Sequence, residues 1–170
     1  MRLVVSLTRS PSDAEPLFRD VMAVSLSWPG DSGMSYFLAR PDDYESPSAM
    51  WGSVARALEK SDVVPYGWNI HKDIWPCICL NMAKHGVKFQ KFHALTEKWP
   101  KTMLGEISYI ATQGAYREVP SAREVYKFMF GEDVKALDEN ERALSVSQQE
   151  LNDSCHNEHL CYHKMLEAYK

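Results

Sequence analysis

Apolar residues change their spacing twice along this chain, and the changes mark out its elements. Leu3 to Leu7 is almost continuously apolar and rich in β-branched residues, which predicts a strand buried on both faces. Pro11 to Pro16 is a loop, and Val21 to Trp28 predicts a second strand. Pro29-Gly30-Asp31-Ser32-Gly33 is a turn signal, and Met34 to Ala39 predicts a third strand, so the chain opens as a three-stranded antiparallel meander. After a polar loop, Pro41 to Pro47, the period lengthens. Met50, Val54, Ala57 and Leu58 fall on one face of a helix over Ser48 to Lys60. Val63 to Tyr66 is a short strand that ends at Gly67. Asp73 to His85 is a helix closed by Gly86, and Val87 to His93 a further short strand. Lys101 to Thr112 and the segment from Ser121 to Gly131 read as helices, while residues 132 to 145 read as acidic and irregular. Ser147 with Glu150 three residues on is a capping box for a final helix, whose buried stripe is Leu151, Cys155, Tyr162, Met165 and Tyr169. Strands first, then a strand threaded among helices, predict an α/β domain with a mixed sheet. With 170 residues and no internal repeat or linker, residues 1–170 are expected to form a single domain.

Two acids stand out against this pattern. Glu158 lies on the buried stripe of the last helix, in phase with Leu151, Cys155, Tyr162 and Met165. A carboxylate there is costly unless it is paired, hydrogen-bonded or bound to a metal, or unless its head reaches water. Asp73 begins a helix directly after a strand. The helix dipole favours an acid at such a place, and so does a ligand site at the carboxyl end of a parallel strand.

The segments around these acids are informative. Gly67-Trp68-Asn69-Ile70-His71-Lys72-Asp73-Ile74 resembles the second motif of the DnaQ-like (DEDD) 3′–5′ exonucleases, which usually reads Gly-His-Asn-x-x-Phe-Asp and leads into a helix. Leu80-Asn81-Met82-Ala83-Lys84-His85-Gly86-Val87 resembles the exit of that helix. Ser154-Cys155-His156-Asn157-Glu158 is similar to the third motif, Tyr-Cys-x-x-Asp. The order of elements matches across nearly the whole chain, with the closest likeness to exonuclease domains related to family B polymerases. The resemblance implies a ribonuclease H-like fold and a site where four acids hold two divalent metals that activate water and stabilise the leaving oxygen. It also implies that this site is degenerate. The first-strand Asp-x-Glu falls on Ser6 and Thr8, which are poor ligands for hard cations. The third acid becomes Glu158. The general-base position is Ser154, and the alternative histidine position, five residues before the acid, is Asp153. Lys72 replaces the aromatic before Asp73.

Charge adds a partner class. The chain carries a formal net charge of −4, so no global basic field attracts nucleic acid, but Lys84 to Lys101 holds five lysines against the single acid Glu97. Lys72, Lys84, Lys88 and Lys91 are therefore the phosphate candidates, with Asn69 beside the site and Trp68 as a stacking platform, unless Trp68 is simply a core residue. Two other patterns compete. Asp13-Ala14-Glu15 is an Asp-x-Glu, but it lies in the loop between Pro11 and Pro16. Cys155, His159 and His163 share a helical face suited to zinc, but lack ligands from a second segment, Cys77-Ile78-Cys79 not being Cys-x-x-Cys. The cysteines are expected to be free thiols. With no apolar run near membrane length and no signal-like N-terminus, an intracellular, cytoplasmic protein without a membrane partner is expected.

The sequence thus predicts a catalytically impaired, exonuclease-like protein that binds single-stranded DNA or RNA, or a nucleic-acid-processing protein. Its vestigial site is Ser6, Thr8, Asp73 and Glu158, with no cofactor or with Mg²⁺ or Mn²⁺ held weakly by Asp73 and Glu158. Two alternatives are an active metal-dependent 3′–5′ exonuclease and a protein-binding inhibitor or assembly factor built on a nuclease fold.

Overall fold

A computed structural model describes residues 2–59, 65–88, 105–112 and 119–169. Strands β1 (Leu3–Arg9), β2 (Val21–Gly30) and β3 (Gly33–Ala39) form the meander; helix α1 spans Pro47–Glu59, strand β4 Pro65–Gly67 and helix α2 Trp75–Lys84. Strand β5 (Gly105–Glu106), α3 (Ile107–Thr112), α4 (Ala122–Phe130), α5 (Glu139–Ala143) and α6 (Gln148–Glu167) follow. The sheet order is β3-β2-β1-β4-β5. β1 and β2, and β2 and β3, pair antiparallel; β4 pairs parallel with β1, and β5 with β4. The fold is therefore α/β with a five-stranded mixed sheet. Among the described residues no helix is long and apolar enough to cross a membrane.

β1 is the central strand, and all seven of its residues are buried. Side chains alternate across a strand, so its two faces enter different cores. Leu3, Val5 and Leu7 pack with residues of α1 and α2, while Val4 packs with residues of α6. Ser6 and Thr8 share the face of Val4 and so meet α6. Between Thr8 and Arg9 the pairing with β2 slips by one residue, a bulge at the end of the strand.

The tight corner after β4 has a steric cause. A Cβ on Gly67 would stand 2.9 Å from the carbonyl oxygen of Val5, so only glycine lets β4 lie this close to β1 here. Asn69 follows in the left-handed region at φ 53°, a conformation asparagine tolerates better than most residues. Its backbone N–H donates to Glu106 Oε1 on β5 at 2.6 Å. Residues Ile70–Ile74 then form a π-helical turn before α2, and this turn carries Asp73.

Several elements differ from the pattern-based expectations. The helix expected from Asp73 starts as an α-helix at Trp75. Within the segment read as a helix from Lys101, Gly105 and Glu106 form edge strand β5 and the helix begins at Ile107; residues 101–104 lie outside the described set. The strand expected over Val87 to His93 lies mostly outside the described residues, and Val87 and Lys88 are not in a strand. The stretch read as irregular contains α5, capped by Asp138, whose side chain accepts from the N–H groups of Asn140 and Glu141. At α6 the side chain of Ser147 accepts from Glu150 N as expected, while the Glu150 carboxylate accepts from Val146 N, one residue before the cap. Tyr169 is 40% exposed and lies beyond the buried stripe of α6.

Candidate functional site

α6 lays an unusually polar face on the sheet. Glu158 and His159 are each 1% exposed and His163 is 8% exposed. Burial of these groups is tolerable because the strands opposite supply small hydroxyls, Ser6, Thr8, Ser25 and Ser27, all buried. Ser6 Oγ donates to Glu158 Oε2 at 2.8 Å and contacts His159 Nε2 at 2.8 Å. His159 Nδ1 lies 2.5 Å from Ser27 Oγ, which lies 2.9 Å from His163 Nε2. The hydroxyl proton of Ser6 is directed to the carboxylate, so His159 Nε2 must donate to Ser6 Oγ. His159 Nδ1 then accepts from Ser27, and Ser27 accepts from His163 Nε2–H. With Glu158 ionised, the result is a one-way chain of hydrogen bonds ending on its carboxylate. It requires a neutral His159, and burial, with the neighbouring His163 and Arg142, pushes that imidazole well below its ordinary pKa.

Two arginines complete the site. Arg142 of α5 is 3% exposed and spends its donors on Thr8 Oγ1 (3.0 Å), Ala136 O (2.7 Å) and Leu7 O (2.9 Å), with Nη1 3.2 Å from Glu158 Oε1. Arg9, at the bulged end of β1, holds both oxygens of Asp73, Nη1 to Oδ1 at 2.6 Å and Nη2 to Oδ2 at 2.7 Å. It also holds Glu139: Nε donates to Oε1 at 2.7 Å and Nη2 to Oε2 at 2.9 Å, and the Arg9 backbone N–H reaches Oε1 at 2.9 Å. Burial opposes the charge on either guanidinium, but the paired carboxylates outweigh it and raise both pKa values. Glu158 goes the other way. Burial outweighs Arg142 and Ser6 and pushes its carboxyl up to about 7, and burial beside Glu158 holds the Tyr162 phenol well above its usual range.

These side chains line an open cleft of about 410 Å³ that also includes Trp68, Asn69 and Tyr162. Ser6, Asp73 and Glu158 are thus brought to one cleft, with Thr8 directly behind it, joined to Glu158 through Arg142. The remaining candidates are scattered. Trp68 borders the cleft but is anchored as a structural residue, its Nε1 donating to Pro120 O at 2.8 Å and its ring stacked on Tyr162 with centroids 6.3 Å apart. Lys72 is exposed on the turn that carries Asp73, and Lys84 and Lys88 are exposed at the far end of α2. Lys84 lies eleven residues beyond Asp73, roughly 16 Å along the chain at 1.5 Å per helical residue. Lys91 lies outside the described residues. Asp13 and Glu15 are exposed in their loop. Both ring nitrogens of His159 are taken by serines, which removes it from the zinc alternative. All four cysteines are free thiols.

Arg9, Glu139 and Arg142 were not singled out by the sequence pattern. One signal did exist for the last two. Asp138 followed three residues later by Glu141 is a helix-start pattern, and it would have turned an irregular stretch into an element with a defined face. Nothing local marked Arg9.

The arrangement does not fit a two-metal centre. Ser6 and Thr8 bring no charge, and each of the six carboxylate oxygens of Asp73, Glu139 and Glu158 already faces a guanidinium or hydroxyl donor. Among the described residues no group of three or more His, Cys, Asp or Glu is placed to hold a metal ion. No protein-family model matches the chain, and no curated protein matches it.

Proposed function

We propose that this protein is a catalytically impaired relative of the DnaQ-like 3′–5′ exonucleases. It binds single-stranded nucleic acid or a nucleic-acid-processing protein and does not cut phosphodiester bonds efficiently. The observation that carries the reading is the double guanidinium clamp. Arg9 and Arg142 sit among Asp73, Glu139 and Glu158 at the place where the family resemblance expects two divalent cations. A metal entering here must displace a buried arginine as well as the water of its own shell, and it finds neither of the first-strand carboxylates that supply most of the ligands in that family. The sheet order supports the same reading, with a central β1, a single antiparallel strand in β2 and parallel β4 and β5, which suits a ribonuclease H-like fold. So does the corner at Gly67 and Asn69, which keeps the motif's turn while its chemistry is altered.

The test is incubation with end-labelled single-stranded DNA and RNA in Mg²⁺ or Mn²⁺, with Asp73→Ala as control, alongside a binding titration at several salt concentrations. The expected result is salt-sensitive binding or none, with turnover several orders of magnitude below that of an intact two-metal nuclease. Processive shortening of the substrate that disappears in Asp73→Ala would overturn the proposal. It would favour the second reading, an active enzyme that swings Arg9 aside and recruits Glu139 as a third acid; the closeness of Glu139 to Asp73 on the same guanidinium is what keeps that reading in play.

A further inference from the structure

A second concavity lies at the other end of α2 from the cleft. It is a groove of about 480 Å³ between the short 3₁₀ turn Pro16–Phe18, the start of α1 and the last turns of α2. Its floor is built from the core, where Met50 and Trp51 are each 2% exposed. Its walls are different. Phe18 is 73% exposed and Leu80 is 46% exposed, although both carry large apolar side chains. Two such residues facing one concavity form a patch that water solvates poorly and a partner can cover. The rim carries Arg19, Lys84 and His85 against the one acid Asp20, in a chain whose net charge is −4. Arg19 is partly committed, with Nε donating to Ala14 O at 3.0 Å, but its charge stays at the rim.

We propose that this groove docks a segment of a partner protein: a peptide with one or two large apolar anchors flanked by acidic residues. The anchors replace water over Phe18 and Leu80, and the flanking carboxylates meet the basic rim. A nucleic-acid strand suits the groove less well. A phosphate backbone needs a run of cations along its track, whereas this rim has an acid among its three basic groups, and one of its two exposed walls is aliphatic and offers no stacking platform. The inference does not depend on the reading of the cleft, since the two concavities share no lining residue.

The test selects phage-displayed random peptides of about 16 residues on the full chain, with counter-selection on the Phe18→Asp/Leu80→Asp variant; a length near four helical turns suits either a helical or an extended segment. Both substitutions are at exposed positions, so the variant is expected to keep the wild-type circular dichroism and melting behaviour. The expected result is enrichment of apolar anchors flanked by Asp and Glu. The enriched peptides should bind the wild type at least about tenfold more tightly than either Leu80→Asp or Lys84→Glu, and as tightly to Phe128→Asp, which alters an exposed residue of α4. Three outcomes would overturn the proposal. One is that no peptide distinguishes the wild type from the double variant, or that enriched peptides carry no acidic excess. Another is that a labelled oligothymidylate binds and is lost in Lys84→Glu while no peptide does, which assigns the groove to nucleic acid. The last is concentration-dependent self-association that Phe18→Asp abolishes, which assigns it to a second copy of the chain.

Discussion

Replacing Arg142 with methionine isolates what one buried guanidinium does for this fold. The substitution keeps much of the side-chain volume and removes every donor. Thr8 Oγ1, Leu7 O and Ala136 O then lose a guanidinium donor, and Glu158 loses its cation. The hydrogen-bond part does not depend on pH. At about 1 kcal/mol net for each of three bonds it amounts to roughly 3 kcal/mol. The ionic part does depend on pH, because Glu158 can escape by taking up a proton. In the wild type its carboxyl titrates at about 7. Below that pH it is protonated with or without Arg142, and the ionic contribution is small. Above it the wild type ionises while the variant resists, and the penalty grows by at most about 1.4 kcal/mol per pH unit. Urea unfolding followed by circular dichroism should therefore give a destabilisation of roughly 3 kcal/mol at about pH 6 and roughly 5 at about pH 9. The higher value matches the usual cost of breaking one side of a buried pair, and it is large against a total stability of about 5–15 kcal/mol. Arg142→Lys should recover most of the alkaline difference. Arg142→Met/Glu158→Leu should remove the pH dependence altogether. A cost that is the same at both pH values, or that persists with the same slope in the double variant, would show that Arg142 does not compensate the Glu158 charge.

Two further outcomes follow from the same geometry. Glu158 is expected to make the protein less stable as pH rises from about 4.5 to about 7. Its folded pKa lies above its ordinary value of 4.5, so the native state binds the extra proton throughout that window, and a contribution of roughly 3 kcal/mol present at the acid end is lost by the neutral end. Unfolding midpoints of the wild type and Glu158→Gln across this range should diverge by that amount, and a difference that is flat or of opposite sign would mean that Arg142 keeps the carboxylate ionised throughout. Separately, Arg9→Ala should leave Asp73 and Glu139 facing one vacated position, so Mn²⁺ should raise its melting temperature by several degrees while leaving the wild type almost unmoved; equal shifts in the two proteins would show that Arg9 does not occupy the cation position.

The meander, the Gly67 corner and the final helix were legible because each rests on a local rule: alternation, a glycine that must be glycine, and a serine cap. The same rules fail where an element is too short to show a period. Gly105 and Glu106 pair with β4 over two residues inside a helical-looking run, and only their position at the edge of the sheet makes them a strand. At the site, the cost of burying Glu158 could be read from its helical phase, but its relief could not. Its hydrogen-bond donor Ser6 and its counter-ion Arg142 come from two other elements, β1 and α5, and the Ser6–Glu158 bond spans 152 positions. Arg9 was hidden for a related reason. Strand alternation sets it on the face opposite Ser6 and Thr8, where a basic residue in a core strand looks like the first polar residue after it; the bulge and two distant acids make it internal.

Charge balance explains how this site holds three buried or half-buried acids together. In the family that the motifs resemble, four carboxylates face two divalent cations, so four negative charges meet four positive ones. Here three carboxylates face two guanidinium groups, Arg9 shared by Asp73 and Glu139, and Arg142 beside Glu158. That leaves one negative charge in excess, and the excess falls on the most buried of the three acids. Burial raises the pKa of that carboxyl, with Glu139 adding to it, so near neutral pH Glu158 is partly protonated and the cleft approaches neutrality without a metal. Acids introduced at Ser6 and Thr8 alone would break that balance, adding two charges beside Glu158 with no further cation to meet them. Metal binding at this cleft would therefore require the guanidinium groups to leave as further carboxylates arrive.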